Sequence, residues 1–343
     1  MDRALIRDPF CAWCGKGPLK PALLFGRGSP PDPFSGPGPH RLERCAACGT
    51  LQVNPHPGPE AARAFFSRAS LFLEKTRDPG GNMVDPVRRA EERAPEYETY
   101  VKTLLPLLPP RGTILDIGCG TGLMLSLLPD RLKKIACEPN PAAAALARKR
   151  GIEVREVFAE DLDFPRDDLV LVIFNQSLDH LIQPAPILEK AALRLAPGGL
   201  ILASGLINPR SPAAILSGPN HRLWHPFHRV CPPFRAVVER FASLGLELVL
   251  HRRPFFRKKT EASVPYVAKA LLTLAKNRIS GAGAPSPPFP GNTITYLARK
   301  SLVPVPAKTE EIPFKPARAG GRVFPKPFSG RNLRDDNQPR KKH

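Results

Sequence analysis

From residue 112 onward the apolar positions follow two rhythms. Short apolar runs at Thr113–Ile117, Lys134–Cys137, Ile152–Val157, Leu169–Phe174, Leu200–Ala203, Leu246–Leu250 and Thr293–Leu297 read as strands. Segments of helical spacing separate most of them, at Leu123–Leu128, Pro141–Arg150, Pro186–Leu195 and Phe234–Leu244, with Pro197-Gly-Gly199 and Gly245 as stops. Leu169–Phe174 is apolar at every position, the pattern of a strand buried on both faces. Strands alternating with helices predict a doubly wound, mostly parallel α/β sheet. Upstream, Val87, Ala90, Ala94, Tyr97, Val101, Leu104 and Leu108 recur near every 3.6 residues, so an amphipathic helix is expected over 86–108, broken near Pro95. Residues 61–85, with apolar patches at 64–66 and 71–73 and then Asp78-Pro-Gly-Gly81, read as a short helix and a linker. Between the last two strands, Val264–Ile279 has helical spacing with Lys269, Lys276 and Arg278.

Composition narrows the classes. The chain has 343 residues, of which 43 are Pro and 26 Gly, so irregular stretches must interrupt the globular part. No apolar run reaches the ~18–20 residues that span a bilayer. The first ten residues hold no continuous apolar stretch, so no secretory signal is expected. The formal charge is +20. Part of that excess lies from Arg299 to His343, with twelve Lys/Arg against four Asp/Glu in a Pro-rich stretch. Residues 301–343 read as a disordered basic tail, either plainly solvated or an arm for a polyanion such as RNA.

Seven cysteines fall into two sets. Cys11, Cys14, Cys45 and Cys48 form two C-x2-C pairs, each followed by a glycine (Gly15, Gly49), while Cys119, Cys137 and Cys231 are scattered. An odd total without an export signal argues for a reducing, cytoplasmic setting, where paired C-x2-C motifs mean zinc. Residues 1–60 are therefore expected to be a zinc ribbon. Four thiolates leave no open coordination position, so the Zn2+ is structural. Gly26–Pro39, between the pairs, reads as a loop.

The chemistry concentrates after the first strand, in Leu115-Asp-Ile-Gly-Cys-Gly-Thr-Gly122. Glycines permit a sharp strand-to-helix turn and close backbone approach to a ligand. A dinucleotide fingerprint starting at Gly118 would need a small residue at 123, where this chain has Leu123. Asp116, two positions before Gly118, would repel a pyrophosphate and attract an ammonium. Glu138, ending the second strand, can accept from both hydroxyls of a ribose. A cationic amino-acid end joined to a ribose describes S-adenosylmethionine.

These segments, with Glu138-Pro-Asn140, Ala159-Glu-Asp-Leu162, Leu178-Asp-His-Leu181 and Leu195-Ala-Pro-Gly-Gly-Leu200, stand in the order found in class I S-adenosylmethionine-dependent methyltransferases, which the chain resembles over about residues 90–300. The ribbon followed by Leu51-Gln-Val-Asn-Pro55 resembles a bacterial subgroup with a four-cysteine ribbon ahead of the catalytic domain. The resemblance implies a Rossmann-like methyltransferase fold over 86–300. It also implies that Asp116, Gly118 and Gly120 line the methionine part of the cofactor and that Glu138 holds the ribose. Asp161, with Glu160 as the alternative, would meet the adenine amino group, and Asn175 would lie beside the reacting methyl.

Transfer from a sulfonium needs alignment of the two atoms and, for a hydroxyl or ammonium acceptor, removal of a proton. His180 is the candidate for that removal, with a structural histidine as the alternative; the neighbouring Asp179 need not face it. His221, His225 and His228 flank Trp224 in a segment expected over the acceptor. The function expected is methyl transfer to a small-molecule or sugar-type acceptor. The alternatives are a zinc-ribbon ribosomal RNA methyltransferase, whose knuckles stand closer together, and a non-catalytic binding module.

Overall fold

In a computed structural model of the protein, the residues described are 5–26, 39–68, 74–77, 83–165, 169–221, 223–252, 268, 272 and 291–302. They belong to one compact unit. The Gly26–Pro39 loop is described only at its two ends. The insertion between the last two strands and the tail lie almost wholly outside these residues.

The chain opens with β1 (Leu5–Ile6), β2 (Leu19–Phe25), β3 (His40–Cys45), β4 (Leu51–Val53) and β5 (His56–Pro57). Then come α1 (Pro59–Ser67), β6 (Thr76–Arg77), β7 (Met83–Val84), α2 (Pro86–Glu91) and α3 (Ala94–Leu104). Asp85 caps α2, its carboxylate accepting from the N–H groups of Val87 and Arg88. The periodic stretch over 86–108 is thus two helices, broken at 92–93, with Pro95 in the first turn of the second, where its missing N–H costs nothing.

The large sheet follows. Its elements are β8 (Thr113–Ile117), α4 (Leu123–Ser126), β9 (Lys133–Cys137), α5 (Pro141–Lys149), β10 (Glu153–Arg155), β11 (Leu169–Asn175), α6 (Pro184–Arg194) and β12 (Leu195–Ile207). After these come α7 (Pro212–Ser217), β13 (Val230–Cys231), α8 (Phe234–Ser243), β14 (Leu246–Arg252) and β15 (Thr293–Lys300). The seven strands lie in the order β10-β9-β8-β11-β12-β15-β14. The first four pairs are parallel, and β15 runs antiparallel to both β12 and β14. This is the predicted mostly parallel sheet with a reversed strand near one edge.

Strand alternation explains why it is doubly wound. Leu115, Ile117, Val172 and Phe174 point to one core with α6 and α8, whereas Ile114, Leu171, Ile173 and Leu202 point to the other with α3, α4 and α5. Both faces are apolar because helices cover both. The chain leaves β8 toward β9 and β10, then returns to β11 on the other side of β8. That switch opens a crevice at the carboxyl ends of β8 and β11.

The cysteine region builds a second sheet, ordered β13-β4-β3-β2. Its edge strand β13 comes from residues 230–231, with Val230 opposite Gln52 and Cys231 opposite Leu51. Trp13 is fully buried in the core beside α8, and its indole N–H donates to the Ala236 carbonyl at 3.0 Å. A buried polar seam joins the same two regions. Arg229 bonds Asp8 and the Val53 carbonyl, while Glu43, 0% exposed, accepts from Asn54 at 2.7 Å.

Candidate active site and cysteine cluster

The crevice holds a cavity of about 390 Å³. Its floor is the turn after β8. Gly118, Gly120 and Gly122 all have positive φ (75°, 55° and 74°), which L side chains rarely adopt. A Cβ on Gly118 would sit 2.8 Å from the Ser177 Cβ, and one on Gly122 would meet Ile152 and Ala147 at 2.6 and 2.8 Å. The turn is therefore glycine-rich for two reasons: backbone conformation and close approach of neighbouring elements.

Two acids bracket this turn. Asp116 is 1% exposed, and neither carboxylate oxygen has a hydrogen-bond partner among the described residues. Burial first, and then the Glu138 charge, push its pKa up to about 8. Glu138, at the tip of β9, lines the cavity. Its two oxygens accept from the N–H groups of Gly120 (2.8 Å) and Asn140 (2.9 Å). Burial raises its pKa too, against those two bonds. An unpartnered, buried carboxylate beside a cavity suits a ligand's cationic group, and a fixed carboxylate with lone pairs remaining suits hydroxyls. The residues present therefore fit the amino-acid and ribose parts of S-adenosylmethionine.

Asn175, at the end of β11, also lines the cavity, and its Oδ1 accepts from Ser204 Oγ at 2.6 Å. His180 lies on the same wall. Its Nδ1 faces the Phe227 carbonyl at 3.2 Å. A carbonyl only accepts, so Nδ1 carries the proton and Nε2 the lone pair. Burial, and then the neighbouring His228, lower its pKa to about 3, so the ring is neutral at ordinary pH.

Of the sequence-derived residues, Gly118, Gly120, Glu138, Asn175 and His180 line the cavity; Asp116 lies buried behind its floor, and Asp161 points away from it. Its carboxylate is half exposed and forms a two-pronged ion pair with Arg63 of α1, so its side chain is not brought into the cavity. The adjacent Glu160 does line it, with Phe158 and Ala159. One Glu160 oxygen accepts from the N–H groups of Ile182 and Gln183 at 2.9 and 3.1 Å. Several contributors were not singled out from sequence. Arg89, Arg93 and Tyr97 reach the cavity from α2 and α3, and Phe66 from α1. The helical spacing that revealed α3 placed Tyr97 on its buried face; nothing local revealed that this face ends at the crevice. Gln176, with φ 56°, turns the chain at the end of β11 against Gly205, where a Cβ would meet its Cγ at 2.4 Å.

The four N-terminal cysteines converge as the spacing predicts. One sulfur from each lies within 4.8 Å of the others; Cys11–Cys48 are 3.8 Å apart and Cys14–Cys45 3.7 Å. A tetrahedral ion with Zn–S bonds of about 2.3 Å requires sulfur–sulfur edges of ~3.8 Å. The glycines after each pair close the knuckles, Gly15 N–H donating to the Cys11 carbonyl at 2.8 Å and Gly49 N–H to that of Cys45 at 2.9 Å.

Comparison with known proteins agrees with this geometry. Residues 89–251 match a family model described as a methyltransferase domain. Ubiquinone biosynthesis O-methyltransferase of Bradyrhizobium sp. is 31% identical over 44% of this chain and 64% of its own length. That of Dinoroseobacter shibae is 33% identical over 42% and 62%. The chain thus covers somewhat under two thirds of these relatives. Among solved structures, an S-adenosylmethionine-dependent methyltransferase from Mesorhizobium loti has 16% identity and a TM-score of 0.42, covering 58% of this chain and 96% of that one. Geranyl diphosphate C-methyltransferase from Streptomyces coelicolor has 16% identity and a TM-score of 0.43, covering 60% and 76%. The strand order, the glycine turn bracketed by Asp116 and Glu138 and the family match together identify residues 89–251 as a class I S-adenosylmethionine-dependent methyltransferase domain.

Proposed function

We propose that the protein transfers a methyl group from S-adenosylmethionine to a hydroxyl oxygen of a small, ring-bearing acceptor. The observation that carries this reading is the cavity lined by the glycine turn and Glu138, with the Asp116 carboxylate buried just behind that turn and without a hydrogen-bond partner among the described residues. S-adenosylmethionine supplies an activated methyl on a positively charged sulfur. Asp116 faces its ammonium, Glu138 its ribose, and the Phe158–Glu160 edge its base. Asn175, held by Ser204, and His180 stand where the acceptor enters. A neutral His180 offers the Nε2 lone pair to the acceptor hydroxyl and orients its oxygen for in-line attack.

An oxygen acceptor is supported by the ubiquinone biosynthesis O-methyltransferases among the relatives. A flat ring is supported by the aromatic wall. Phe66, Tyr97, Phe158 and His180 line the cavity, and Phe66 packs edge-on against His180. The four-cysteine cluster would hold a structural Zn2+, on the tetrahedral spacing of its sulfurs.

Calorimetry with S-adenosylhomocysteine tests the donor site, with micromolar or tighter binding expected. Labelled S-adenosylmethionine incubated with hydroxylated aromatics, sugars and RNA tests the acceptor. Label entering RNA rather than the small hydroxyl compounds overturns the acceptor class, and absence of S-adenosylhomocysteine binding overturns the enzyme.

A further inference from the structure

We propose that Asp179, His180 and His228 form a second metal centre, holding one first-row divalent cation with open positions for the acceptor oxygen. A carboxylate oxygen of Asp179 and one ring nitrogen from each histidine lie within 4.8 Å of one another. A shared ion at ~2.1 Å from each needs separations no longer than ~4.2 Å. Small side-chain adjustments close that difference.

The surroundings are those of ligands rather than of surface histidines. His180 Nδ1 is committed to the Phe227 carbonyl at 3.2 Å, and His228 Nδ1 to the Leu223 carbonyl at 2.6 Å. Each bond fixes the tautomer and leaves Nε2 as the lone-pair atom, the usual outer support of a metal-bound imidazole. Asp179 is 2% exposed, and its Oδ1 has no hydrogen-bond partner among the described residues. A buried carboxyl in that state is neutralised by a proton or met by a cation, and two imidazole lone pairs beside it suit a metal ion. Arg229, next in sequence to His228, does not serve. Its Nη atoms go to Asp8 and to the Val53 carbonyl.

The cluster is also built in advance. Asp179 and His180 sit on one turn, closed by the His180 N–H to the Ser177 carbonyl at 2.9 Å. The segment bearing His228 is tied to that turn by the Arg229 N–H donating to the Asp179 carbonyl at 2.7 Å. Its next two residues are fixed in the small sheet as β13. Two imidazoles and one carboxylate favour Zn2+, Fe2+, Co2+ or Mn2+ over all-oxygen ions such as Ca2+. Three protein ligands leave positions open, as a catalytic site requires.

Of the three ligands His180 lines the cavity, which puts the centre at the cavity wall, within reach of an acceptor bound there. This part rests on the methyl-transfer reading above. A hydroxyl bound there in place of its hydrogen bond to His180 becomes more acidic and gives its proton to water. The oxygen then takes the methyl. The carbon–sulfur bond breaks, a carbon–oxygen bond forms, and sulfur keeps the electron pair as the neutral thioether.

The test uses the full chain, stripped with a chelator, reloaded with cobalt(II) chloride and freed of excess. Two equivalents of cobalt per chain are expected. Cys45→Ser should keep one and lose the sulfur-to-metal charge-transfer absorption. His228→Ala and Asp179→Asn should each keep one together with that absorption. One equivalent in the wild type, or two in both His228→Ala and Asp179→Asn, overturns the second centre. S-adenosylhomocysteine titrated into the same preparations separates the two readings. Binding without a second equivalent of cobalt sinks the metal centre alone, and no binding in any preparation sinks the methyltransferase reading.

Discussion

Cofactor binding should release a proton, because Asp116 is held protonated until a cation arrives. Its carboxyl is buried with no hydrogen-bond partner among the described residues, and burial pushes its pKa up to about 8 from an ordinary 3.8. The sign follows from linkage. A carboxyl whose folded pKa is raised favours the fold when protonated. That contribution is whole below about pH 4 and is lost as pH rises through 8. A ligand ammonium reverses the preference, since it binds the carboxylate. Below pH 8 each unit therefore costs about 1.4 kcal/mol, or tenfold, in affinity. Two units down, near pH 6, S-adenosylhomocysteine should bind about fiftyfold more weakly than near pH 8, where half of the carboxyl is already ionised. At still higher pH the ligand's own α-ammonium loses its charge and affinity falls again. Calorimetry across pH 6–9, in buffers of different ionisation heat, reads both the affinity and the proton released. Asp116→Asn should bind more weakly at pH 8 and show a flat acid limb. A wild-type affinity that does not change between pH 6 and 8, with no proton released at pH 7, refutes the assignment of Asp116 to the ligand's ammonium.

Glu138→Ala removes a ribose acceptor and leaves the Gly120 and Asn140 N–H groups without their partner. At ~1.5–3 kcal/mol for bonds to a charged group, S-adenosylhomocysteine affinity should fall about tenfold to a hundredfold on titration. Gly118→Ala places a Cβ at φ 75° and 2.8 Å from Ser177. The strain of roughly 1–2 kcal/mol should lower thermal stability, and the displaced turn should weaken cofactor binding by at least tenfold. Trp13→Ala empties a fully buried site and removes the bond to the Ala236 carbonyl. It should cost about 3–5 kcal/mol in denaturant unfolding followed by a probe in the methyltransferase domain. A loss confined to the cysteine region would contradict the shared core.

The large sheet was legible because its signals are local. The unbroken apolar run at 169–174, the glycine turn and the acid at 138 each need only a few residues to be recognised. The ends of elements were less so. β12 begins at Leu195 rather than Leu200, carrying Pro197-Gly198-Gly199 inside the strand where β11 shifts register between Leu169 and Leu171. In the cysteine region, β2 holds Lys20 and Pro21 followed by four apolar residues, so no alternating pattern marks it as a strand. β13 is two residues long and is a strand only because β4 lies beside it. That Asp161 points away from the cavity goes with its ion pair to Arg63, nearly a hundred residues away in sequence. Asp179 reaches the histidines because a turn, not an extended strand, carries it.

The pairing of β4 with β13 also has a consequence for how the chain emerges from the ribosome. The cysteines can gather once about fifty residues are made, but Val230 and Cys231 arrive some 180 residues later. Until then the nascent knuckles present a bare strand margin and an uncovered indole at Trp13, both open to mispairing. Early capture of an ion by the thiols would hold that margin in register while synthesis continues, so metal supply during translation should govern the yield of native protein.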